Sequence, residues 1–188
     1  MNGSRHAFGF AFMPIVRFLG LVAILASFCV SALGPAFAGG ADPSRFISSI
    51  YANGHEEAVW LQWLSAAKRG AWFSRDLTAL WSRCDASARK ANDKVGPLDA
   101  DVATNSQMGW EAFKGFTVSV VSQADGLAVV NAKLEPGPNT GPRKASDNVV
   151  RYDLIQEGGD WKIDDVHSTI DGKPWSLRDL LKDYLKTN

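Results

Sequence analysis

From Gly115 to Ser168 apolar residues recur at every second position, whereas from Phe46 to Cys84 they recur at every third or fourth. Period two belongs to strands with one buried face, and a period near 3.6 belongs to helices with one buried stripe. Helical segments followed by a run of strands restrict the chain to an α+β arrangement. The expected strands follow from the punctuation. Gly115 to Ser122 places Phe116, Val118 and Val120 on one face, and Gln123 to Gly126 is a hairpin turn. Leu127 to Leu134 returns, and Glu135 to Ser146, with three prolines, is expected to be a mobile loop. Val149 to Gln156 and Trp161 to Ser168 form a second pair around the turn Glu157 to Asp160.

The helical part divides into three. Asp42-Pro43-Ser44 starts a segment carrying Phe46, Ile47, Ile50 and Tyr51, and Asn53-Gly54 stops it. His55 to Lys68 carries Trp60, Trp63, Leu64 and Ala67 on one side, up to Gly70. Ala71 to about Arg89 carries Phe73, Leu77, Leu80, Trp81 and Cys84. Asn92 to Trp110 has turn residues and no period, and is expected to be an ordered irregular loop of the kind that often carries function. Ser176-Leu-Arg-Asp179 resembles a capping box with Asp in place of Glu or Gln, opening a final helix through Leu177, Leu180, Leu181 and Tyr184. The expected fold is therefore N-terminal helices packed on a curved antiparallel sheet of about four strands, closed by a C-terminal helix.

Residues 1–38 read as a signal peptide. Arg5 and Arg17 precede an apolar run from Phe18 to Leu33, and Ala36 and Ala38 are the small residues before a cut after Ala38. The run is shorter than the roughly 20 residues of a spanning helix; retention as an uncleaved anchor is the alternative to cleavage. The mature chain, residues 39–188, is then one α+β domain, periplasmic or secreted, with no membrane span. Removing Arg5 and Arg17 from 20 basic residues leaves 18 against 20 acidic ones. Such a balance, without a basic stripe, argues against nucleic acid as a partner. Cys29 leaves with the signal, so Cys84 is the one mature cysteine and is expected in the core.

Several stretches together resemble a known family: the early helix ending in Tyr51, Leu77-Thr-Ala-Leu-Trp81, the loop Gly96-Pro-Leu-Asp-Ala-Asp101 leading to Gln107, Trp161-Lys-Ile-Asp-Asp165, and Ser176-Leu-Arg-Asp-Leu-Leu181. They are similar to the bacterial exported domain-of-unknown-function family 3828, which looks like a member of the nuclear-transport-factor-2-like (cystatin-like) superfamily. The resemblance covers about residues 42 to 185 and implies a cone in which the inner sheet face and the helices enclose a pocket. The superfamily includes isomerase-like and dehydratase-like enzymes, ligand-binding proteins and interaction modules, so the resemblance implies a fold more than a function. No acid/base pattern of those enzymes matches this chain residue by residue.

Candidate site residues follow. Asp164 and Asp165 are adjacent in a strand, so their carboxylates should point to opposite faces unless a bulge intervenes. One of them, Asp165, could look into the cone as a general base; the simpler expectation is a strand end that caps turns or pairs with Lys or Arg. His167 lies on the face of Asp165 and could complete a proton relay or a partial metal site, against the simpler expectation of a surface histidine. Asp99, Asp101 and Gln107 lie in the irregular loop, either at a binding site or bonding the loop backbone. Their Asp-x-Asp spacing is an incomplete calcium loop. Trp60, Trp63 and Trp72 need an apolar surface beyond the one Trp81 and Trp161 occupy, in a pocket or at a partner interface. No nucleophile elbow, zinc motif, CxxC pair or phosphate loop appears, and no metal or cofactor is implied.

These readings point to non-catalytic binding of a small ligand, peptide or envelope protein, with Tyr51, Asp99, Asp101, Gln107, Trp110 and Asp165 as candidate residues. The alternatives are an isomerase- or hydrolase-like enzyme with a buried carboxylate base, and a structural or immunity-like interaction module.

Overall fold

A computed structural model describes residues 42–52, 59–107, 109–138 and 140–188, and the expected signal peptide lies outside them. Helix α1 (Pro43–Ala52) buries Phe46, Ile47, Ile50 and Tyr51, the stripe expected from their spacing. Asp42 caps it by accepting from the Ser44 amide at 2.9 Å. The second helical segment differs from expectation. Its described part breaks at Ser65 into α2 (Val59–Leu64) and α3 (Ala66–Arg69), and residues 53–58 lie outside the description.

The third helix, α4 (Arg75–Ala91), starts four residues later than expected. Trp72 to Ser74 are taken by the sheet: the Trp72 carbonyl accepts from the Ile163 amide and the Ser74 amide donates to the Ile163 carbonyl, both at 2.9 Å. Ser74 then serves as N-cap, its hydroxyl accepting from the Leu77 amide, and Asn92 closes the helix in a left-handed conformation.

The sheet is antiparallel and open, ordered β1 (Phe113–Ala124), β2 (Leu127–Pro136), β3 (Val149–Glu157), β4 (Asp160–Ile170), β5 (Lys173–Ser176). Five strands replace the expected four because β4 turns through Asp171-Gly172 into β5. Both turn residues have positive φ, as do Asp125-Gly126 between β1 and β2. Two-residue hairpins of this hand match strand twist and favour Asp-Gly. Helix α5 (Leu177–Thr187) begins where expected, with the Ser176 hydroxyl accepting from the Asp179 amide.

One sheet face meets the helices. Val130, Ala132, Val150, Tyr152, Leu154, Ile163 and Val166 join Ile47, Ile50, Trp81 and Cys84 in the core, with Leu177 and Leu181 from α5. Burying each Val, Leu or Ile among them stabilises the fold by about 1.5–3 kcal/mol. Cys84 is fully buried, 3.2 Å from the Leu181 carbonyl, and burial pushes its thiol up to about 11. Trp63 and Trp72 are core residues, not a surface patch. In the segment after β2, Gly137 donates to the Ala112 carbonyl at 2.8 Å, and Arg143 donates to the Asn105 carbonyl at 3.0 Å.

Candidate functional site

Three of the six candidate residues come together. Tyr51 sits on the core-facing stripe of α1 and Tyr152 on the core face of β3, and their hydroxyl oxygens are 2.7 Å apart. Tyr51 donates to the Ala103 carbonyl at 2.9 Å, which leaves Tyr152 as donor to Tyr51. Asp101 shapes the loop that supplies Ala103. Its Oδ1 accepts from the Ala103 amide at 2.8 Å and its Oδ2 from the Thr104 hydroxyl at 2.9 Å. The Tyr51 ring meets Trp110 edge-on at 5.0 Å and stacks on Phe116 at 5.2 Å.

Burial raises both tyrosines far above the usual range, so each keeps its proton. Burial also raises Asp101, opposed by the bonds from Ala103 and Thr104. Tyr51, Asp101 and Trp110 thus form a packed, internally bonded centre. Asp99 and Gln107 are exposed and stand apart from it. Tyr51→Phe strands the Ala103 carbonyl and the Tyr152 hydroxyl, and should lower unfolding stability by about 2 kcal/mol. In urea titrations, adding Tyr152→Phe should cost less than the sum of the two single changes.

Asp165 lies elsewhere. The β3–β4 register runs Asp153↔Asp165 and then Leu154↔Ile163, so Asp164 is a bulge. The bulge overrides simple alternation and lets the two carboxylates address one helix start. Asp164 pairs with the Arg178 guanidinium and accepts from Ser74. Asp165 accepts from the Arg178 and Val166 amides at 3.0 and 2.8 Å. The register groups Asp165 with Asp153, away from the core pair Tyr152 and Val166, and its carboxylate is buried against the first turn of α5.

His167 is half-buried on that same face, 2.9 Å from Asp153 and 3.6 Å from Asp165, while Arg151 holds the other oxygen of Asp153 at 2.9 Å. The Asp153 bond raises His167 above its ordinary 6.5; burial opposes this, and Asp165 adds to it. Burial pushes Asp153 up, but His167 and Arg151 outweigh it and hold the carboxyl below 3.8. The His167 contribution is complete below pH 6.5 and is lost as pH rises through the raised folded value. The Asp153 contribution is present above pH 3.8 and is lost as pH falls through the depressed one. Denaturant midpoints should therefore decline above pH 6.5 in the parent protein, with that slope reduced in His167→Gln.

A cleft opens where the chain runs from α2 through α4 into the next loop. It has a volume of about 320 Å³, with Leu64 and Val95 at its rim and Trp81, Ala88, Pro97 and Leu98 deeper in. Beneath it Arg69, fully buried, reaches Asp85 at 2.9 Å, donates to the Trp63 and Leu64 carbonyls and lies 4.3 Å from the Trp81 ring centre. Asp93 accepts from the Val95 and Gly96 amides, shaping the loop, and from the Tyr184 hydroxyl at 2.6 Å. That bond is the main reason Tyr184 is raised to about 12. Sequence reasoning missed Arg69 and this cleft, because no local pattern separates a buried arginine from its neighbour Lys68.

Among the described residues no group of three or more His, Cys, Asp or Glu is placed to hold a metal ion, and no helix is long and apolar enough to cross a membrane. No family model, curated protein or solved structure matches the chain.

Proposed function

We propose that this is an exported binding protein of the cell envelope that holds its ligand without chemical turnover, in the cleft between α2, α4 and the Asp93–Leu98 loop. The observation that carries this reading is the cleft itself. It is open, lined by both apolar and charged side chains, and of ligand size, since small-molecule sites run from about 300 to 1,000 Å³. The carboxylates that could act as bases support the same reading. Both oxygens of Asp101 accept internal bonds, and Asp165 caps α5. The wider frame of the proposal is a cleaved signal over residues 1–38, a cone-like curved sheet in the mature domain, and membership of family 3828 within the nuclear-transport-factor-2-like superfamily.

Thermal-shift screening against envelope metabolites, lipids and short peptides tests it, run in parallel on Val95→Trp. Val95 is 68% exposed, so a tryptophan there obstructs the cleft without touching the core. A ligand should raise the Tm of the parent protein and leave the variant unmoved. A panel that shifts neither protein, or shifts both alike, would sink the reading.

A further inference from the structure

The charges around the cleft divide into two kinds. Asp85 and Asp93 carry the negative ones, and both are engaged: Asp85 by Arg69 at 2.9 Å, Asp93 by Tyr184 and two loop amides. Arg89 and Lys94 carry the positive ones. Both line the cleft and both are exposed. Among the described residues neither side chain has a hydrogen-bond or ion-pair partner. Nor are they needed to satisfy the end of α4, because the Ala88 and Arg89 carbonyls accept from the Asp93 and Asn92 amides at 2.9 and 3.3 Å. The cleft thus combines the apolar side chains of Leu64, Ala88, Val95 and Leu98 with two exposed cations whose side chains are uncommitted among the described residues.

We infer that the ligand is a small amphiphilic anion: a short aliphatic body lying over Leu64, Ala88, Val95 and Leu98, with a carboxylate head between Arg89 and Lys94. This rests on the cleft being the binding site. A guanidinium presents a fork that matches the two oxygens of a carboxylate, and an ammonium adds a mobile point charge. Neutral tails gain only the apolar term, and cationic heads meet like charge. The volume lies at the low end for ligand sites and fits a short chain better than a long lipid tail.

Three ligands sharing one chain length separate the contributions: decanoate, decanol and decyltrimethylammonium, titrated into the protein while the methyl resonances of Leu64 and Val95 are followed. Decanoate should move both methyls and bind about ten-fold tighter than decanol, with decyltrimethylammonium weakest. The double change Arg89→Gln and Lys94→Gln should erase the decanoate advantage and leave decanol unchanged. Added salt should erode that advantage in the parent protein. Decanol binding as tightly as decanoate at those methyls, or the ammonium binding best, overturns the anionic head and leaves the cleft as a site. No movement of those methyls by any of the three overturns the inference, and a silent wider panel then removes the cleft with it.

Discussion

Arg69→Ala should lower unfolding stability by about 3–5 kcal/mol, the range for breaking a buried ion pair from one side. The guanidinium is fully buried, and all of its groups are used: Nε on the Trp63 carbonyl at 2.9 Å, Nη1 on Asp85 at 2.9 Å and Nη2 on the Leu64 carbonyl at 3.0 Å. Its Cζ also lies over the Trp81 ring, 4.3 Å from the ring centre. Truncation leaves Asp85 without its counter-charge, two carbonyls without donors and a void beneath the cleft. The loss is uneven, because the cost of a stranded charge exceeds the net worth of the intact pair. Arg69→Met combined with Asp85→Leu should therefore recover most of the stability in guanidinium titrations. A single Arg69→Ala variant as stable as the parent would show that the pair does not hold α2, α3 and α4 together.

Asp147→Ala should cost about 3 kcal/mol, since bonds to a charged acceptor are each worth roughly 1.5–3 kcal/mol. Asp147 is 5% exposed and sits at a junction of three loops. Its carboxylate accepts from the Thr169 hydroxyl, and from the Asp171 and Gly172 amides at 3.1 Å each, closing the β4–β5 turn. Its carbonyl accepts from Arg143 and, at 2.9 Å, from Asn105. Asn105 in turn accepts from the Trp175 indole at 3.1 Å. Burial pushes the carboxyl up, but the bonds from Thr169 and the Gly172 amide, with smaller ones from Lys144 and Ser146, outweigh it and hold it below 3.8. Its contribution is present above pH 3.8 and is lost as pH falls through the lowered value. Hydrogen exchange should show faster exchange at the Asp171 and Gly172 amides in Asp147→Ala. Asp147→Asn, which keeps one acceptor oxygen, should lie between the variant and the parent.

The legible part of this protein is the part written in local pattern. The stripe Phe46, Ile47, Ile50, Tyr51 determined a helix and its buried side. Asp125-Gly126 and Gly158-Gly159 determined hairpins, and Ser176 determined the start of α5. Asp171-Gly172 carries the same turn chemistry and marks β5, which a reading that stopped the sheet at Ser168 passed over. Cys84 was legible too, because an apolar spacing that predicts a helix also predicts which residues that helix buries.

The candidate site divides along the same line. The sequence placed Tyr51, Asp99, Asp101, Gln107, Trp110 and Asp165 in one site, and the fold joins only Tyr51, Asp101 and Trp110, through Ala103 and ring contacts. It could not say whether that neighbourhood is hollow. Tyr152, 101 residues away in the chain, fills it and completes its hydrogen bonds. The bulge at Asp164 is likewise invisible locally, because it depends on how β3 and β4 register and on Arg178 arriving from α5.

By itself, then, the sequence determined that helices precede an antiparallel sheet, the turns at Asp125-Gly126 and Gly158-Gly159, the start of α5 and the inward face of α1, all of which depend on residues within a few positions of one another. Only the tertiary structure decided that the tyrosine centre is packed, that Arg69 and Asp147 are polar anchors, and that a cleft lined by Arg89 and Lys94 lies beside α4. Those features depend on side chains meeting across long stretches of chain, where burial and partner choice are properties of the assembled core.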